Sequence, residues 1–100
     1  MRFRSRPSEV EAVQWTGSNY RAVQDFVAGA EQVRSGPVVR WHDWGGQFGS
    51  RLEVLAGKDG AQGWVPVPQG HWLVRNPGDH GDYWPVYGGY FEGKYEPAGE

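Results

Sequence analysis

Aromatic rings next to cations are the residues of this sequence best suited to bind a ligand. Six tryptophans occur in 100 residues, Arg40 precedes Trp41, and Arg75 lies close to Trp72. An exposed ring can stack on a nucleobase for about 1–3 kcal/mol, and a guanidinium binds phosphate oxygens in a fork geometry. The pattern is therefore compatible with a nucleotide site. The alternative is that the rings form core or subunit contacts and that the arginines lie on a solvated strand face.

Residues with catalytic potential are few. The pair His42-Asp43 occurs in HD-type metal phosphohydrolases, but those enzymes are helical, whereas this pair lies in a strand-like run. No serine lies in a nucleophile-elbow context, and no glycine run has the phosphate-loop pattern. We therefore expect no catalytic residue, no metal site and no cofactor, and we predict that the protein is not an enzyme. The remaining candidate metal ligands lie in and around a predicted turn: His71, Asp79, His80 and Asp82.

Length and charge limit the kinds of partner. A chain of 100 residues is expected to form one domain, 1–100, with a modest core, so association with further copies would bury more surface. The formal net charge is −2 and the pI about 5.9, which disfavours a long nucleic acid as partner. The absence of cysteine excludes disulfides and thiolate sites. No apolar run suits a membrane span or a signal peptide, so we expect a soluble, intracellular protein.

The spacing of apolar residues predicts one helix and a series of short strands. Residues 9–17 read as a strand that ends in a turn. Ser18 or Asn19 can cap a helix that follows, and Gly29 is a suitable end for it. From Val38 onward, short β-prone runs alternate with turn signals, as in an antiparallel meander. The predicted fold class is α+β: a small, mostly antiparallel bent sheet with one N-terminal α-helix. The apolar face of that helix comprises Tyr20, Val23, Phe26 and Val27.

Two separated motifs stand near the ends of the chain. The first is VEAVQWTG at 10–17, and the second is GDYWPV…YFEGKYEP at 81–97. Together they resemble a widespread family of small tailed-phage proteins. Members of that family typically open with Val-Glu-Ala-Val-Gln-Trp/Tyr-Thr-Gly and close with Gly-acidic-aromatic-aromatic-Pro, followed by a Phe and a Tyr-Glu. The middle of the chain, about 33–69, lies outside the resemblance.

The resemblance implies a function. The family is similar to phage sponge proteins of the anti-CBASS type, which sequester cyclic nucleotide immune signals such as 3′3′-cGAMP. It thus implies a counter-defence protein in the host bacterial cytoplasm that binds a cyclic dinucleotide without cleaving it. It also implies a homo-oligomer with pockets at subunit contacts.

The matched motifs supply the candidate ligand-binding residues. Gln14 is predicted to read a base edge and Thr16 to donate to phosphate, while Trp15 and Trp84 are candidates for stacking. Arg75 is predicted as a phosphate partner from its chemistry and not from a matched motif. The predicted site comprises Gln14, Trp15 and Thr16 as one patch, Tyr83 and Trp84 as another, and Arg75 as the cation.

Two other aromatic residues are assigned to the core. Phe91 and Tyr95 lie four apart in a predicted terminal strand and would face the same side of it. Two other functions stay open beside the sponge: a phage structural or protein-interaction module with no nucleotide ligand, and a small metal-dependent phosphodiesterase. The phosphodiesterase would use residues among His42, Asp43, His71 and His80.

Overall fold

The computed structural model describes residues 2–5, 8–45 and 49–97. Within these residues the chain forms eight strands and two helices. Neighbouring strands pair antiparallel throughout, which confirms the predicted α+β fold with a helix near the N-terminus. In chain order the elements are β1 (Arg2–Ser5), β2 (Ser8–Gln14), α1 (Tyr20–Arg34), β3 (Val39–Gly45), β4 (Gly49–Lys58), β5 (Gly63–Val67), β6 (Trp72–Arg75), β7 (Asp82–Val86), α2 (Gly88–Lys94) and β8 (Glu96–Pro97).

Strand β4 holds the two parts of the sheet together. It pairs with β3 along one side and with β5 along the other. Its last residues, Gly57 and Lys58, leave β5 and pair with Tyr83 and Asp82 of β7. From β7 the sheet continues through β6, β2, β1 and β8. Because β4 changes partner along its length, the β3–β4–β5 part and the part that contains β2 are joined through one strand.

Helix α1 continues past Gly29, so the predicted end of the helix is wrong. The His80 ring lies against Gly29, and a Cβ at that position would be 2.7 Å from His80 Cε1. The glycine is thus explained by this close approach and not by a left-handed turn. The helix ends instead where Ser35 adopts a φ of 57°. The fully buried face of α1 comprises Val23, Val27 and Ala30.

Two apolar cores lie on opposite faces of the sheet, because successive side chains of a strand alternate in direction. Along β2, Val13 packs against the core under α1, whereas Val10 and Ala12 belong to the core under α2. The α1 core includes Trp15, Val23, Val27, Val39, Leu52, Val54, Leu73 and Tyr83. The α2 core comprises Phe3, Val10, Ala12, Val74 and Phe91, with Trp72, Trp84, Val86 and Tyr95 packed against it.

Helix α2 occupies the region predicted as a terminal strand, so that element was predicted wrongly. Phe91 is 1% exposed and stacks on Trp72 with ring centroids 4.3 Å apart. Tyr95, which follows the helix, stacks on Phe91 at 4.8 Å. The core assignment of Phe91 is confirmed, and the half-buried Tyr95 packs against the same core. A spacing of four residues puts two side chains on one face in either a helix or a strand, so spacing alone could not separate the two.

Candidate functional site

A cleft of about 510 Å³ opens between the end of β2 and the first turns of α1. Small-molecule sites typically have volumes of about 300–1,000 Å³, with mostly apolar walls and a few polar groups. This cleft has that composition, and we call it the β2–α1 cleft. The side chains that give it chemical character are Gln14, Thr16, Asn19, Asp25, Phe26 and Trp72.

The polar rim of the cleft is organised by Asn19. This residue is the N-cap that precedes α1, but its side chain makes no capping bond to the helix. Its Nδ2 donates to the Gln14 carbonyl at 2.7 Å, and its Oδ1 accepts from Thr16 N at 2.9 Å and from Thr16 Oγ1 at 3.0 Å. Gln14 Nε2 in turn donates to the Gly70 carbonyl at 3.0 Å. The loop between β2 and α1 is therefore tied to both elements.

Two aromatic rings, Phe26 and Trp72, line the cleft, and each ring is also held by contacts with other side chains of the protein. Phe26 has the Arg75 guanidinium carbon 4.5 Å from its ring centroid. Trp72 stacks on Phe91 and meets Phe3 edge-on at 5.0 Å. The buried Trp72 Nε1 has no hydrogen-bond partner among the described residues. Anchored rings lose little conformational entropy when a ligand packs against them.

Trp15 lies in the α1 core although its neighbours Gln14 and Thr16 line the cleft. It is 1% exposed, and its ring meets Tyr20 and Trp41 edge-on at 6.4 Å and 5.9 Å. No face of the ring is open to a ligand in the single chain. The stacking role predicted for Trp15 therefore disagrees with its burial, because adjacent residues of an extended segment point to opposite sides.

Arg75 is engaged by the protein itself. Its side chain is 14% exposed, and Nε donates to Glu11 Oε1 at 3.0 Å. Its Nη1 donates to the Phe26 carbonyl at 2.8 Å and to the Tyr83 hydroxyl at 2.9 Å, and lies 3.3 Å from His80 Nδ1. These contacts leave little of the guanidinium for a ligand. The predicted phosphate role of Arg75 thus disagrees with its place beneath α1.

Tyr83 and Trp84 do not form one patch. They are consecutive on β7 and point to opposite faces, so Tyr83 is fully buried in the α1 core while Trp84 is half-buried against the α2 core. Burial raises the pKa of Tyr83, and the hydrogen bond from Arg75 acts against that rise. The joint ligand surface predicted for these two residues disagrees with their placement, because adjacent residues of a strand point to opposite faces.

A second depression, of about 340 Å³, lies beside the cleft and shares Gln14 with it. Tyr87, which is 66% exposed, stands at this polar groove and meets His71 edge-on at 5.0 Å. The sequence singled out Trp72 only as a ring close to Arg75 and did not place it in the predicted site, although Trp72 is the cross-strand partner of Gln14. That relationship becomes visible only once the strands are paired. The polar groove is lined by Gln14, Gln69, Gly70, His71, Tyr87 and Glu92, together with the glycines at the start of α2.

The three histidines lie in different places. His42 is on β3, His71 is in the polar groove and His80 packs against α1. Among the described residues, no three His, Asp or Glu side chains lie close enough to hold a metal ion. The side chain of Asp43 lies outside the described residues. Of the residues proposed for a phosphodiesterase, the three histidines that the structure describes therefore do not converge on one site.

Comparison with protein-family models, with curated proteins and with solved structures finds no match to this chain. The resemblance to small tailed-phage proteins therefore stays a prediction, and the site is interpreted from its own geometry. Neither helix in the described part of the chain is long and apolar enough to cross a membrane.

Proposed function

We propose that the protein binds a cyclic dinucleotide of the 3′3′-cGAMP type and sequesters it without cleavage. It would act as a phage counter-defence protein in the host bacterial cytoplasm. The observation that carries this proposal is that the β2–α1 cleft and the polar groove meet at Gln14. Two adjoining depressions suit a ligand in which two bases are joined by a small sugar–phosphate ring.

One base would enter the β2–α1 cleft. Gln14 keeps its predicted role there, since an amide side chain can both donate to and accept from a base edge. Trp72 takes the stacking role that had been predicted for Trp15. Stacking of this kind contributes about 1–3 kcal/mol per base, and the contacts of Trp72 with Phe91 and Phe3 hold the ring in place.

The second base would lie in the polar groove. The exposed ring of Tyr87 offers it a flat apolar surface, and the His71 ring holds that tyrosine from one side. Gln69 at the groove wall supplies a second amide. This base is thus recognised mainly by polar contacts, in contrast to the base in the cleft.

The phosphates would depend on hydroxyl and backbone donors. Thr16 Oγ1, which was predicted for that role, donates to Asn19 Oδ1 in the ligand-free chain and would have to turn from it to reach a phosphate. Among the described residues that line the two depressions, none is Lys or Arg. Asp25 at the cleft wall is paired with the exposed Arg21 at 3.4 Å. Because salt mainly screens charge–charge attraction, affinity at this site should respond only weakly to ionic strength.

A thermal-shift panel of cyclic di- and trinucleotides, with and without EDTA, tests the proposal. At about 100 times its dissociation constant, a ligand should stabilise the protein by about 2.7 kcal/mol. The shift should persist in EDTA, and chromatography should recover the ligand intact after heat denaturation. A degraded product would exclude sequestration, and a flat panel would remove the nucleotide function altogether.

A protein-interaction module is the second candidate, and it is favoured by the rings around α2. Tyr87 and Tyr90 are 66% and 56% exposed, and two exposed rings three residues apart at the start of α2 could form a surface that a partner covers. A second copy of the chain is one such partner, as the predicted homo-oligomer requires. Light scattering after size-exclusion chromatography, with and without ligand, distinguishes a stable oligomer from a monomer.

A further inference from the structure

Three basic side chains surround one carboxylate on the face of β3 and β4 that α1 does not cover. Val39, Leu52 and Val54 point into the α1 core, so the residues that alternate with them point to the opposite face. Arg40 is the cross-strand partner of Glu53, and His42 is the cross-strand partner of Arg51. We call this surface the arginine face: Arg40, His42, Arg51, Glu53 and the nearby Trp64.

Glu53 is the fixed centre of the arginine face. Its carboxylate accepts from Arg40 Nε at 2.6 Å and lies 3.1 Å from Arg51 Nη2, one arginine on each oxygen. His42 Nε2 is 3.6 Å from the oxygen that Arg40 contacts. The Glu53 side chain is 10% exposed, whereas those of Arg40 and Arg51 are 43% and 50% exposed. The acid therefore lies beneath the arginines, which present their remaining N–H groups to solvent.

Trp64 restricts Arg40 further. The Arg40 guanidinium carbon lies 4.2 Å from the Trp64 ring centroid. A guanidinium that is held both by a carboxylate and by a ring has lost most of its rotamer freedom before any ligand arrives. A ligand that accepts from it then pays less for ordering the side chain.

The arginine face also carries excess positive charge. Two arginines against one glutamate leave one positive charge, although the chain as a whole carries −2. Two outward guanidinium groups on adjacent strands match the several acceptor oxygens of a phosphate group. We propose that the arginine face is a binding site for the phosphate group of a small anionic ligand. It shares no described lining residue with the β2–α1 cleft or the polar groove, so this inference does not depend on the proposed function.

The test is an NMR titration of the full chain with inorganic pyrophosphate and, separately, with guanosine monophosphate. Both probes should shift the side-chain N–H signals of Arg40, Arg51 and the Trp64 indole. Equal affinities would support recognition of phosphate alone, and tighter binding of the nucleotide would support an added base contact with Trp64. An absence of shifts at millimolar probe would overturn the proposal.

Variants that each remove one positive charge distinguish specific phosphate binding at the arginine face from nonspecific electrostatic attraction to the protein. Arg51→Gln should weaken binding by about tenfold, in the range expected for the loss of a hydrogen bond to a charged group. Arg40→Gln should act in the same direction, while either variant leaves Glu53 one arginine partner. Lys94→Gln removes the same charge on α2 and should leave the affinity unchanged. An equal loss in Lys94→Gln and Arg51→Gln would show that the arginine face is only a solvated surface.

Discussion

The Arg75 guanidinium donates to the Tyr83 hydroxyl across 2.9 Å and so joins β6 to β7 beneath α1. The same side chain reaches the Phe26 carbonyl of α1 and the Glu11 carboxylate of β2. One arginine thus links three strands and a helix. The chemistry that made Arg75 a candidate for phosphate binding, a fork of donors, is used here for the packing of α1 on the sheet.

Replacement of Arg75 should therefore affect folding before it affects binding. Arg75→Gln leaves a mostly buried carboxylate and a carbonyl without this donor and should destabilise the protein by about 3 kcal/mol. Tyr83→Phe removes the hydroxyl that accepts from Arg75 and lies 3.4 Å from His80 Nδ1, and it should cost about 1 kcal/mol. Urea denaturation measures both. If Arg75→Gln kept wild-type stability but lost the nucleotide, the original phosphate role would be restored.

Because Gly29 contacts the His80 ring, replacing this helical glycine with alanine should destabilise the protein, although alanine favours a helix more than glycine does. Gly29→Ala should gain up to about 1 kcal/mol in helix propensity but lose about 1–3 kcal/mol through overpacking against the ring, with net destabilisation in thermal melts. Gly36→Ala, where no atom lies within 4 Å of the new Cβ, is the control and should change stability by less than about 0.5 kcal/mol.

A double variant identifies the cause. In a His80→Ala background the ring is absent, so Gly29→Ala should no longer destabilise the protein. A full penalty in that background would mean that the contact with His80 is not what requires glycine.

Acid should remove a contribution to stability that Glu53 makes. The hydrogen bond from Arg40 lowers the pKa of Glu53 below its ordinary value of 4.5; burial opposes this, and the charges of Arg40, Arg51 and His42 reinforce it. A carboxyl whose pKa is lowered on folding stabilises the folded state above its unfolded pKa, and this contribution is lost as the pH falls through the folded pKa. Glu53→Gln should therefore be less stable than wild type near neutral pH, and the difference should shrink below about pH 4.5. Urea titrations across the pH range check this, and a constant difference would contradict it.

Gln14 should be the most sensitive position for ligand binding. Gln14→Ala removes the amide shared by the two depressions and should weaken cyclic dinucleotide binding by about tenfold, the loss expected for one buried hydrogen-bonding group. Gln24→Ala, on the exposed side of α1, should have no effect. Trp15→Phe should lower the melting temperature and leave the affinity of the folded protein intact. Calorimetric titration below the melting temperature separates these outcomes, and an equal affinity for Gln14→Ala and Gln24→Ala would exclude the cleft.

Part of this arrangement was predictable from local pattern. The helical spacing of Val23 and Val27 identifies the buried face of α1, and the turn after β2 places Gln14 and Thr16 near the start of that helix. Trp72 was not predictable as a cleft residue, because its contact with β2 depends on which strand β6 pairs with. The spacing of Phe91 and Tyr95 could not distinguish α2 from the predicted strand, because residues four apart share a face in both a helix and a strand.

The sequence by itself determined the antiparallel α+β class, the position of α1 and the richness in rings, since these follow from periodicity, turn residues and composition. Only the tertiary structure decided which rings are covered and which cations reach solvent. Trp15 and Tyr83 point into the core while Trp72 lines a cleft, and Arg75 is enclosed while Arg40 and Arg51 face outward. The physical reason is that exposure depends on strand pairing and on what packs above each face, and these are contacts between residues far apart in the chain.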